Sequence, residues 1–169
     1  MGGLVSRWQI RVYAYILAIV GDREEAWDVS QEVWIAVVSS LRKKADVRAF
    51  APWLYGIAHN KSISHLRRKG RMEAREDGLA SEVEDPPAPA QSTDESILAA
   101  EDASVIRDCL SRLPLAQRGT LTLFYLDELT LDEIARITEA PVGTVQSRLH
   151  YGRMKLKELL TKKGYGDGK

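Results

Sequence analysis

Residues 130–153 read TLDEIARITEAPVGTVQSRLHYGR. Thr130, followed three places on by Glu133, is a capping box: the threonine hydroxyl accepts an N–H of the first turn and the glutamate reaches back to the threonine's own N–H. A short helix carrying Ile134, Ala135 and Ile137 follows. Glu139-Ala140 breaks it, and Pro141, whose fixed φ already suits a helix, opens another. In that second helix Val145 and Leu149 stand at i and i+4 and face inward, which turns Gln146, Ser147, His150 and Tyr151 outward. A capped short helix, a tight turn and a second helix make a helix-turn-helix, whose second member enters the DNA major groove by its first turns. Glutamine pairs with adenine through two hydrogen bonds and serine suits several bases. Arg148, Arg153, Lys155 and Lys157 are placed to meet phosphates, which supply affinity and position rather than sequence. By spacing alone, a plain helical hairpin with a solvated basic face fits the same residues.

Outward from this stretch the helical period continues. Ile106, Cys109, Leu110 and Leu113 precede it, and Pro114 opens a further helix through Leu121, Phe124 and Tyr125. Val142, Val145, Leu149, Leu156, Leu159 and Leu160 line the last helix, which Gly164 ends. Near the N-terminus, Ile10, Tyr13, Ala14, Leu17 and Ala18 form one apolar stripe. Val29, Val33, Ala36 and Val37 form a second after Gly21-Asp22. A third carries Phe50, Trp53, Leu54, Ile57 and Ala58 and stops at Gly70. No strand pattern competes. The fold class is therefore all-α, two small helical domains over 1–71 and 97–163, with a flexible acidic linker over 72–96 and a tail over 164–169. Whether the two units pack on one another stays open.

The 169 residues carry no net formal charge, which taken alone argues against a nucleic-acid binder. The distribution reverses this. Residues 1–71 hold 12 Lys/Arg against 6 Asp/Glu, residues 72–104 hold Arg75 against 10 acids, and residues 105–169 hold 11 bases against 8 acids. Two basic blocks flank an acidic, Pro-containing segment that cannot bury enough apolar surface to offset its ordering entropy.

The basic end of the third helix, HNKSISHLRRKGR over 59–71, places Asn60, Lys61, Ser64, Arg67 and Arg68 on a polar stripe behind the apolar one. Trp53 and Tyr55 lie one to two turns upstream. Cations with aromatics suit a DNA strand being opened, where an unstacked base is stacked or pocketed. A charged solvent face, with Trp53 in the core, is the equally simple alternative. Asp28, Gln31 and Glu32 share the outer face of the second helix and by physics alone are surface charge.

Taken together these stretches resemble the sigma-70 superfamily, extracytoplasmic-function group. Asp28–Trp34 is similar to its D-x-x-Q-E-V-F/W helix, and Phe50–Arg71 to the segment with Trp-Leu, Ile-Ala and an Asn before a basic run. Leu113-Pro114, Gln117-Arg118, Tyr125, Leu129-Thr130, Glu133-Ile134-Ala135 and Gly143-Thr144-Val145-x-Ser147-Arg148-Leu149 resemble its C-terminal domain. The order and spacing carry more than any one motif. The resemblance implies a transcription-initiation factor that binds core RNA polymerase and promoter DNA.

Carried over position by position, it implies that Asp28, Gln31 and Glu32 dock on the clamp helices of the largest polymerase subunit. Asn60, Lys61, Ser64, Arg67 and Arg68 fall in the segment that engages the −10 element; Ser64 stands where an Asp is usual, so pairing with the basic run differs there. Gln146, Ser147, Arg148, His150, Tyr151 and Arg153 fall in the helix that reads the −35 element, with the second domain on the β flap. His150 and Tyr151 vary with promoter preference, so the −35 sequence does not carry over. An anti-sigma factor is an implied partner, and the implied location is the cytoplasm, at the nucleoid when active or held at the membrane by that partner.

Other functions fit less of the chain. An ordinary helix-turn-helix regulator leaves residues 1–71 unexplained, and a sigma-like decoy has no need of Arg67, Arg68, Arg148 and Arg153. No enzyme is expected. His59, His65 and His150 lack ligand spacing, Cys109 falls on an apolar stripe, and there is no phosphate-binding glycine loop, so neither metal nor cofactor is expected. The resemblance also implies that the acidic linker threads toward the RNA exit path, where its charge is expected to mimic RNA. Neutralising its acids should then change the yield of short early transcripts in a run-off assay, and an unchanged pattern would remove the idea.

Overall fold

The computed structural model describes residues 2–43, 49–75 and 94–166, with side chains over 6–43, 49–70 and 101–166. Seven helices are described: α1 (Gly2–Val20), α2 (Arg23–Leu41), α3 (Phe50–Arg75), α4 (Asp94–Ser111), α5 (Leu115–Tyr125), α6 (Leu131–Thr138) and α7 (Val142–Lys162). Among the described residues there is no strand, as the periodicity predicts.

α1, α2 and α3 pack mutually and form the N-terminal unit. Gly21, at φ +83, takes the left-handed position that closes α1, and its N–H bonds Leu17 O at 2.9 Å. Asp22 then caps α2, its Oδ1 accepting the Glu25 N–H at 2.9 Å. Buried Ala26, Val29, Val33 and Val37 include three of the four α2 positions read from sequence.

The α1 stripe differs from its reading. Val12, Tyr15, Ile16 and Ile19 are buried, whereas Ile10 is 73% exposed. α1 is apolar nearly all round because it contacts α2, α3 and α5 at once, so no single stripe marks its inner face. Gly70 does not end the third helix either; one helical glycine costs only about 1 kcal/mol, and α3 runs on to Arg75. α4 already starts at Asp94, so both helices enter the segment assigned to the linker. Its centre, residues 76–93, and with it the expected flexibility and RNA mimicry, lies outside the described residues.

The C-terminal unit joins α5, α6 and α7, with α4 laid along α7. The helix-turn-helix forms as read. Thr130 Oγ1 accepts the Glu133 N–H at 3.2 Å while Glu133 Oε2 accepts the Thr130 N–H at 2.8 Å. α6 stops where Glu139 takes a left-handed conformation (φ 52°, ψ 42°) and the Ala140 N–H bonds Ala135 O at 3.0 Å. Val145 and Leu149 of α7 are buried, and Gly152 lets α7 approach α5: a Cβ there would meet Leu121 Cδ1 at 3.1 Å. Cys109 is buried, as its stripe implies. Ile106 and Tyr125 are exposed instead, since α4 has few neighbours and α5 ends in solvent at Tyr125.

The two units share one apolar core. Leu54, Tyr55 and Ala58 of α3 belong to the same buried cluster as Leu123, Leu129, Ile134, Ile137 and Val145.

Thr130→Ala removes half of the capping box and should destabilise the protein by about 1 kcal/mol in denaturant unfolding. Gly152→Val adds both crowding against Leu121 and a β-branched residue, so it should cost more, roughly 1–3 kcal/mol.

Candidate nucleic-acid and polymerase interface

On α7 the buried residues fix the orientation of everything else. With Val145 and Leu149 inward, Gln146, Ser147, His150, Tyr151 and Arg153 are all exposed. Ser147 Oγ donates back to Gly143 O at 3.1 Å, which leaves its oxygen as an acceptor. The His150 and Tyr151 rings meet edge to face at 5.2 Å. Arg153 lies over the rings of Phe124 and Tyr125, 5.5 Å from each centroid, so cation–π contact holds its guanidinium at the α5–α7 edge. Arg148 is half-buried and turns toward the N-terminal unit.

On α3, Asn60, Ser64, Arg67 and Arg68 are exposed and Lys61 is half-buried. Behind this face α2 supplies carboxylates. Glu25 accepts Lys69 Nζ at 2.9 Å and lies 3.0 Å from His65 Nε2, and Glu32 lies 3.6 Å from Arg68. Burial alone would raise the Glu25 carboxyl, but the hydrogen bonds and charges of Lys69 and His65 outweigh it and hold the group below its ordinary value. Glu25 escaped the sequence reading because its partners lie 40 and 44 residues away. Asp28 and Gln31 are exposed, and Glu32 is half-buried beside them. Asp28, Gln31 and Glu32 of α2 and the basic run of α3 are thus adjacent, joined by Glu32 and Arg68.

The two aromatics upstream of the basic run divide. Trp53 is half-buried against Phe50, ring centroids 5.8 Å apart. Tyr55 is fully buried, so it cannot receive an unstacked base in this arrangement. Its hydroxyl donates to Asp127 Oδ1 of the C-terminal unit. Burial, then the bond to Asp127 and that residue's charge, push the Tyr55 hydroxyl up and keep it a donor. Burial likewise pushes the Asp127 carboxyl up, against the Tyr55 bond and the Arg11 charge. Close by, Tyr15 Oη and His59 Nδ1 are 2.9 Å apart. Arg118 of α5 donates to Ile19 O at 3.5 Å, which sets a cation at the α1 C-terminus, where α1 has no basic residue of its own.

A basic stripe over α3, an acidic α2 edge and an α7 that exposes Gln146, Ser147, His150 and Tyr151 in one chain have known counterparts. The profile of Sigma-70 region 2 matches residues 4–72, and that of Sigma-70 region 4 matches residues 104–156. The RNA polymerase sigma-H factor of Pseudomonas aeruginosa is 31% identical over 162 residues, covering 93% of this chain and 84% of that protein.

The chain belongs to the sigma-70 family.

Its relatives include further extracytoplasmic-function members. The ECF RNA polymerase sigma factor SigW of Bacillus subtilis is 31% identical over 165 residues (93% of this chain, 87% of SigW). The ECF sigma-E factor of Haemophilus influenzae is 33% identical over 155 residues (89% and 82%). Among solved structures, the sigma factor RpoE of Bartonella quintana, in complex with the anti-sigma factor NepR, aligns with a TM-score of 0.77 at 21% identity, over 95% of this chain and 96% of that one. CnrH, in complex with the cytosolic domain of CnrY, aligns with a TM-score of 0.62 at 22% identity, over 95% and 87%. At such identity the structural likeness is one of fold. As an extracytoplasmic-function sigma factor, the protein binds core RNA polymerase and directs promoter-specific initiation.

Glu25 gives a pH prediction. A carboxyl held below its ordinary value of 4.5 contributes stability that is present above that pH and is lost as pH falls through the folded value. Glu25→Gln should therefore lower stability by roughly 1 kcal/mol at pH 7. It should also weaken the acid dependence, read as unfolding midpoints from pH 7 down to pH 3.

Proposed function

We propose that α7 reads the −35 element through Gln146, Ser147, His150 and Tyr151, with Arg148 and Arg153 on flanking phosphates. In this reading α3 engages and opens the −10 element through Asn60, Lys61, Ser64, Arg67 and Arg68, and Asp28, Gln31 and Glu32 dock on the clamp helices. Region 4, about 97–163, sits on the β flap, and region 2 is about 1–71, with 72–96 between them. The observation that carries this reading is the orientation of α7: with Val145 and Leu149 in the core, the base-reading side chains share one exposed face. Tyr55 is left out of the strand-opening set because it is buried against Asp127.

Catalysis belongs to the polymerase, and the protein works in the cytoplasm. Among the described residues no helix is long and apolar enough to cross a membrane. An anti-sigma factor is the partner expected to hold it inactive, as the RpoE structure contains the anti-sigma factor NepR.

Promoter binding requires a different arrangement of the two units. The −35 and −10 elements lie about 25 base pairs apart, roughly 85 Å along B-form DNA. Here Arg67 and Arg148 line one cleft. The units must separate before both elements are met.

Run-off transcription with purified core polymerase on the DNA upstream of the protein's own gene tests the reading. Discrete transcripts that need the protein are expected, and silence on genomic fragments together with no core binding would overturn it. Arg148→Ala should weaken binding to all DNA and reduce its salt slope by about one counterion. Gln146→Ala should relax preference at one −35 base pair by roughly 1–3 kcal/mol, in competition binding with single-base variants. Equal losses on specific and random DNA for Gln146→Ala would contradict a base-reading role.

A further inference from the structure

Where α1, α3, α5, α6 and α7 meet, the chain encloses a half-open cleft of about 240 Å³. Arg67 from α3 and Arg148 from α7 both line it, with His59 on the same wall. Among the described residues neither guanidinium has a carboxylate within 4.0 Å, whereas the neighbouring His65, Arg68 and Lys69 of α3 are paired with Glu25 and Glu32. Two like charges brought to one cleft repel, and the apolar floor of Ile19, Ile63 and Leu115 weakens solvent screening. Such an arrangement is poised for a counter-anion.

A third donor is available. The Tyr15 hydroxyl, kept protonated by burial, faces His59 Nδ1 at 2.9 Å. With the hydroxyl donating to Nδ1, the neutral ring carries its proton on Nε2, leaving that N–H to donate elsewhere. The other titratable group near the ring is Glu139, whose charge acts on His59 in opposition to that of Arg148, while burial dominates and holds the imidazole below its ordinary value. Thr120 and Thr138 supply no donors, since their hydroxyls already bond Ala116 O and Ile134 O at 2.8 Å each.

We propose that this cleft is a site for a compact phosphate-type anion, inorganic phosphate or pyrophosphate, clamped between Arg67 of region 2 and Arg148 of region 4. Planar guanidinium forks suit phosphate oxygens, and charge-assisted bonds of this kind are the strong ones. The volume favours a small anion over a nucleotide, because sites for drug-sized ligands start at about 300 Å³. The two arms come from different units, so the anion binds the closed arrangement better than the open one and shifts the population toward it. DNA phosphates need the same two arginines apart, so anion and promoter compete.

Isothermal titration of the full chain with sodium pyrophosphate, against sodium chloride at matched ionic strength, tests this without polymerase or DNA. Its failure is thereby separate from failure of the promoter reading. One saturable site is expected, weakened at least about tenfold by Arg67→Gln and by Arg148→Gln. It should be unchanged by Arg107→Gln, an exposed residue of α4 that alters net charge equally. The His59 ring resonances of the unmodified protein should shift with the same affinity. Heat that never saturates, equal weakening in all three variants, or a His59 ring that does not respond would overturn the site.

Discussion

A tyrosine hydroxyl of α3 and a carboxylate from the loop after α5 meet inside a shared apolar core, and the placement of the two units follows from that meeting. Tyr55 and Asp127 are 72 residues apart in sequence. Around them Leu54 and Ala58 pack with Leu123, Leu129, Ile134 and Val145. Breaking the pair would leave a half-buried carboxylate without its donor, which adds a desolvation cost to the loss of the bond. The polar contact therefore sets the register of an interface whose attraction is mainly apolar. Arg118 reaching the end of α1, and Gly119 allowing α5 to lie against Ile19, extend the same contact.

This arrangement places the functional faces unequally. The α2 edge and the outward face of α7 are open to solvent. Arg148 and Arg67 of α3 line one cleft, while His65, Arg68 and Lys69 pair with α2. Arg148, assigned to a DNA phosphate, thus lines a cleft between the units in the closed arrangement, whereas Arg153 stays at the α5–α7 edge. The cost of holding two cations there is a small reservoir that favours either separation or a bound anion.

Much of this was legible in the sequence, for local reasons. Thr130 and Glu133 sit three residues apart, and the capping box they form depends on nothing distant. Val145 and Leu149 fix the face of α7 by period alone. Asp22 and Gly21 punctuate α1 and α2 in the same way. The sequence was less informative where burial comes from several directions: α1 is apolar on nearly every side, so Ile10 was read into a stripe whose place Val12, Tyr15, Ile16 and Ile19 occupy. Gly70 carries a turn signal but lies inside a helix already nucleated by buried turns upstream. Pairings such as Glu25 with His65 and Lys69, or Tyr55 with Asp127, have no period and became visible only once distant helices were side by side. Tyr55 is the instructive case, since an aromatic beside a basic run suits a nucleic-acid platform, yet the same side chain anchors the junction.

The free protein is closed across this junction, and in the proposed function it opens to work. Single-molecule energy transfer between dyes at Lys43→Cys and Lys162→Cys measures it directly; Cys109 is buried and takes no label. One high-transfer population in the free protein, replaced by a low-transfer population on adding core polymerase, is the predicted result. A free protein already spread over low transfer would show the junction open from the start, and a polymerase complex that keeps the high-transfer state would show that it does not open.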